Sequence, residues 1–129
     1  MIAGRLSSAV LMLSGLAGVL VPSQVAEALQ LPASSGRGRA EVRAGLGGTY
    51  LALGAWALLS DKPAARTAVG VTWLGAAGTR LTALALDKPE TDLTYWSYLA
   101  LEVGAGLAAL ASGAARPALV VGPSEVRSY

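Results

Sequence analysis

The chain has no cysteine, no histidine and no phenylalanine among its 129 residues. Without cysteine it forms no disulfide and no thiolate metal site. Without histidine it lacks imidazole ligation of a metal or haem, and any triad built on an imidazole base. Charge is scarce as well: Asp, Glu, Lys and Arg make up 14% of the residues, where a soluble domain carries about a quarter. The net charge of +2 comes from basic residues scattered toward the ends of apolar runs. No Arg/Lys-rich stripe interleaves with aromatics, so the pattern reads as membrane-interface anchoring and predicts no nucleic-acid partner. No Gly-x-Gly-x-x-Gly or Walker pattern opens a helix after a strand. The inventory points to no cofactor and no metal. It leaves Glu102 or a tyrosine as general acid or base, which is thin support for an enzyme.

Apolar residues, by contrast, fill 53% of the sequence. Charges are sparse in four stretches, residues 6–21, 42–60, 64–86 and 93–115. A helix that crosses the hydrocarbon core needs about 20 such residues. The pattern predicts an all-α fold, an integral membrane four-helix bundle with up-down-up-down connections. Its single domain covers 1–116, with spans at about 2–21, 40–60, 64–86 and 92–114, and a tail at 117–129. Ala, Gly and Leu dominate, which suits helices packed closely through small residues. The turns at 60–65 and 87–92 are short enough to make successive helices antiparallel, and Asp92 is placed to cap the fourth span. Tyr95, Trp96 and Tyr98 sit just inside that end, where an interfacial aromatic belt belongs.

The first run has two readings. Arg5, the apolar stretch and Ala26-Glu27-Ala28 fit a cleavable signal peptide, and the same residues fit a retained helix stopped by Pro22. Residues 22–31 read as a short amphipathic helix lying on the membrane surface, with Val25, Ala28 and Leu29 on one side and Glu27 and Gln30 on the other. Residues 32–39 read as a flexible polar linker, and the second span as starting near Ala40. Arg5, Lys62, Arg66, Arg116 and Arg127 fall on one side of the membrane, and Arg37, Arg39 and Lys88 on the other. That imbalance assigns both termini to the cytoplasm.

Arg43, Arg80 and Glu102 lie within the apolar runs, where an ionisable residue is costly and is by default a candidate for function. At about 1.5 Å of rise per residue, Arg80 sits about 9 Å below Leu86 and Glu102 about 13–14 Å below Leu93. The depths match on adjacent antiparallel helices, which predicts a pair. Tyr95, Tyr98, Glu102 and Gly106 form one stripe of the fourth span; Arg43, Gly47, Tyr50 and Gly54 form one of the second. Trp73, Ala76 or Ala77, and Arg80 line one side of the third. The expected site is therefore Arg43, Tyr50, Trp73, Arg80, Tyr95, Tyr98 and Glu102. Arg43 stands at the mouth of a cavity between the second, third and fourth spans, and the surface helix serves as its lid. A buried pair that only fixes helix register is an open alternative.

The segment Glu41-Val42-Arg43-Ala44-Gly45-Leu46-Gly47-Gly48, followed by Gly78-Thr79-Arg80-Leu81 and by Glu102, resembles a known pattern. It is similar to the small bacterial membrane proteins grouped as domain of unknown function 4345, within a wider DoxX-like four-helix set. The likeness spans about residues 6–110. That family usually carries a glycine after the acid of the third turn, where this chain has Lys88 following Asp87. The resemblance implies a four-helix membrane fold in a bacterial inner membrane and assigns no activity. Its DoxX-like relatives imply accessory roles beside redox or respiratory membrane complexes. The expected function is a non-enzymatic one: binding a small amphiphile such as a membrane lipid or quinone-like molecule, or docking onto a larger membrane complex. The competing expectation is a proton-coupled carrier that titrates Glu102.

Overall fold

Apolar runs of this length satisfy their backbone polar groups internally only as helix. In the computed structural model, which describes residues 2–114, the elements are α1 (Ile2–Leu20), α2 (Pro22–Ala28), α3 (Gly36–Glu41), a π-helical segment (Val42–Gly48), α4 (Thr49–Leu59), α5 (Pro63–Leu86) and α6 (Leu93–Ala114). The described residues contain no strand. Three helices, α1, α5 and α6, are long and apolar enough to cross a membrane. Size is distributed inside out. The buried core is mostly small residues such as Ala57, Ala65, Ala77 and Ala109, around Leu11, Val69 and Trp73. Leu13, Leu20, Trp56, Val71, Leu81 and Leu107 face outward and exposed. Large apolar side chains exposed in such number suit a surface that meets lipid better than one that meets water. The expected tail at 117–129 lies outside the described residues, as do Arg116 and Arg127.

The second apolar run starts earlier than its composition suggests. The backbone is helical from Gly36, because Ser35 caps that end: its Oγ accepts from Gly38 N at 3.0 Å. Arg39 Nη1 donates to Ser34 O at 3.0 Å and fastens the same turn. Part of the expected linker is therefore helix. From Gly36 to Leu59 the junction residues Glu41, Val42, Gly48 and Thr49 all keep right-handed helical angles, so α3, the π segment and α4 run on continuously.

α2 is shorter than expected, ending at Ala28 instead of Leu31. Gln30 takes a left-handed conformation (φ 55°), and Leu31 N donates to Ala26 O at 2.8 Å while Gln30 N donates to Glu27 O at 3.0 Å. This pair of reversed bonds terminates a helix in the Schellman manner. α2 buries Pro22 and Ala26 and half-buries Val25 and Leu29, whereas Ala28 stays exposed.

Packing runs α1 to α4, α4 to α5, α5 to α6 and α6 back to α1. Ser7 Oγ donates across α1–α6 to Ala105 O at 2.8 Å. The π segment is different: it packs on α1, α2, α3 and α4, and on neither α5 nor α6. The second run thus leans toward α1 at the end where α2 lies, and draws away from α5 and α6 there. Asp92 caps α6, its Oδ1 accepting from Tyr95 N at 2.9 Å.

At the other side of that turn Lys88 follows Asp87, the C-terminal cap of α5, with a left-handed φ of 46°. This is the position at which helices favour glycine. Lys88→Gly is expected to stabilise the protein by about 1 kcal/mol, the steric cost that a Cβ meets in this conformation. Thermal unfolding in detergent should register it as a higher Tm, and a lower Tm would disprove it.

Candidate functional site

Arg80 stands six residues before the end of α5 and Glu102 near the middle of α6. Their matched depths bring them together. Arg80 Nε donates to Glu102 Oε2 at 2.9 Å and Nη2 to Oε1 at 2.6 Å, a two-pronged, charge-assisted pair. Glu102 is only 6% exposed. The α6 stripe surrounds the guanidinium: Arg80 Cζ lies 5.3 Å from the Tyr95 ring centroid and 5.6 Å from that of Tyr98. The Tyr95 hydroxyl donates to the Arg80 carbonyl at 3.0 Å. From α4, Tyr50 leans on Trp73 of α5, ring centroids 6.5 Å apart at 50°. Trp73 is buried and its Nε1–H has no partner among the described residues.

Six of the seven expected residues therefore converge: Tyr50, Trp73, Arg80, Tyr95, Tyr98 and Glu102. Arg43 does not join them. It is exposed on the π segment, and its Nη1 donates to the carbonyl of Val19. That oxygen is among the last carbonyls of α1, which have no partner within their own helix. Arg43 thus ties the second run to α1 and lines none of the cavities at the cluster.

Those cavities adjoin at Arg80. A chamber of about 310 Å³ lies beneath α2, between Val25 and Leu29 of its roof, Ser14 and Ala17 of α1, Leu46, Trp73 and Leu101. Tyr50, Arg80, Tyr98 and Glu102 form its polar end. A lateral cleft of about 380 Å³ runs between α4 and α5 past Tyr50, Ala76, Thr79 and Ala83. It exists because the π segment leaves α5 uncovered. A vestibule of about 290 Å³ reaches the turn at its acidic rim, Glu27, Glu90 and Asp92. The aliphatic walls of the chamber carry no chemical motif and were not legible as site residues; the amphipathic pattern of 22–31 was the one signal for its roof. Among the described residues no group of His, Cys, Asp and Glu is arranged to hold a metal ion. Comparison with models of known protein families, with characterised proteins and with solved structures finds no match to this chain.

Proposed function

We propose that the chain is a four-span integral membrane protein, up-down-up-down, that binds a small amphiphile at the Arg80–Glu102 pair and catalyses no reaction. The continuous helix from Gly36 to Leu59 is its fourth crossing, and the ring of packing from α1 through α4, α5 and α6 is that of a bundle. α1 belongs to the mature fold in this reading, since its Leu11 is completely buried in the core. A bacterial inner membrane, cytoplasmic termini and kinship with the domain of unknown function 4345 proteins complete the proposal.

One observation carries it: a buried ion pair at one end of a chamber whose other walls are mainly apolar. A pair that served only to fix helix register requires no space beside it, whereas a bound head group does. An aliphatic chamber with a few convergent polar groups is the usual form of a small-molecule site, and its volume is at the lower end of that class. Docking onto a larger complex would leave the chamber without a role. The carrier reading draws on the vestibule, chamber and cleft all meeting at Arg80, which gives access from the aqueous rim and from the bilayer.

Native mass spectrometry from mild detergent is the test. The wild-type protein is expected to retain a small amphiphile, and Ala17→Phe, which fills the chamber from α1, to lose it. A wild-type protein free of bound small molecules would overturn the binding reading. Acid-driven flux in proteoliposomes that Glu102→Gln abolishes would replace it with the carrier.

A further inference from the structure

We infer that the chamber selects a neutral amphiphile whose head group presents a carbonyl oxygen, and that Glu102 is the residue that sets this preference. The inference rests on the amphiphile reading above and deepens it.

Arg80 and Glu102 are the only charged residues lining the chamber among the described residues. Both carboxylate oxygens of Glu102 are engaged by Arg80, so the pair offers no net charge to a ligand. An anionic head drawn to Arg80 would be repelled by Glu102 across the same low-dielectric space. Its lost hydration would then be poorly compensated. A cationic head fares no better, since Arg80 would repel it as it approached the carboxylate. Hydrogen bonding decides the remaining choice. Arginine has five N–H donors, and two of Arg80's are spent on Glu102. The hydroxyls of Tyr50 and Tyr98 take part in no hydrogen bond among the described residues, and both residues line the chamber. Those hydroxyls can donate or accept, but the remaining N–H groups of Arg80 can only donate and have no partner among the described residues, so the balance suits a head that accepts.

The approach agrees with this choice. An anion arriving from the aqueous side would pass Glu27, Glu90 and Asp92 at the vestibule. A neutral amphiphile already in the bilayer has the lateral cleft between α4 and α5, which ends on Tyr50, Arg80 and Glu102.

Trp73 provides a reporter because it is buried from lipid and lines the chamber, whereas Trp56 and Trp96 are exposed. In a Trp56→Phe/Trp96→Phe variant Trp73 is the last of the three tryptophans. The variant is reconstituted in phosphatidylcholine vesicles and titrated with three probes of equal tail: methyl 9,10-dibromostearate, 9,10-dibromostearate and 9,10-dibromostearylamine. Bromine quenches tryptophan at close range. The ester is expected to half-quench Trp73 at about one-tenth the mole fraction that either charged probe requires, equivalent to a tenfold difference in affinity. Glu102→Gln in the same background should improve quenching by the carboxylate about tenfold, since Arg80 is then uncompensated. A carboxylate that matches or exceeds the ester on the wild-type site would overturn the head-group inference and leave amphiphile binding standing. Absence of quenching by all three would remove both. If Glu102→Gln fails to fold, the ranking of probes on the unaltered pair still decides.

Discussion

Arg80→Ala is expected to be the most damaging single substitution in the chain, lowering the unfolding free energy by about 3–5 kcal/mol. The loss comes less from the missing attraction than from what remains: Glu102, whose side chain is 8% exposed, would keep a largely desolvated carboxylate with no cation beside it. Glu102→Ala should cost less. The Arg80 side chain is 23% exposed and retains the rings of Tyr95 and Tyr98 beside its guanidinium. The doubly apolar variant Arg80→Met/Glu102→Leu should be closer to wild type than either single alanine variant, because a buried pair replaced by apolar groups of similar volume is often neutral. Unfolding in mixed micelles, followed by circular dichroism, of Arg80→Ala, Glu102→Ala and the combined Arg80→Ala/Glu102→Ala variant closes a double-mutant cycle. Additive losses, or an Arg80→Ala variant no weaker than Glu102→Ala, would contradict this account of the pair.

The pair was legible in the sequence because two strong regularities meet there. Charge is rare inside apolar helices, and helical rise is constant, so equal depth on neighbouring antiparallel helices is simple arithmetic. Tyr95 and Tyr98 followed from the same period on α6. Arg43 was not legible, because five of the six residues between it and Tyr50 belong to the π segment. A π-helix bonds i to i+5 and turns less per residue than an α-helix, so α-helical spacing assigns Arg43 to the wrong side. Nothing in Val42-Arg43-Ala44-Gly45-Leu46-Gly47-Gly48 announces that change of winding. The early start of α3 was half legible: Ser35 is a good cap, yet Gly36 and Gly38 behind it are poor helix formers and favour a loop reading. A cavity between the second, third and fourth spans under the surface helix followed from the convergence of the polar residues; its walls on α1, Ser14 and Ala17, carry no chemical signal and did not.

The lean of the second run away from α5 depends on backbone contact with α1, which makes Gly47→Leu the second large effect. A Cβ on Gly47 would stand 2.7 Å from Val19 N and 2.8 Å from the carbonyl carbon of Gly18. A Cβ on Gly18 would stand 2.8 Å from Gly47 Cα, and one on Gly15 2.6 Å from Gly47 O. These neighbours are main chain and have no rotamer through which to yield, so the two helices must separate. Apolar helices in lipid gain no hydrophobic attraction for one another and associate through such close packing, so separation forfeits the contact. Overpacking of this kind costs about 1–3 kcal/mol. Gly45→Leu is the matched control: it lies in the same segment, and a Cβ there meets nothing within 4 Å. Its stability should match or exceed that of wild type, by up to about 1 kcal/mol, since leucine is the better helix former. Gly47 is flanked by Leu46 and sits one turn from Tyr50, both of which line the chamber, so Gly47→Leu should also weaken quenching of Trp73 by the dibrominated ester while Gly45→Leu leaves it unchanged. Equal stability of the two variants would mean that α1 and the π segment are not in backbone contact, and the cleft beside α5 would then need another cause.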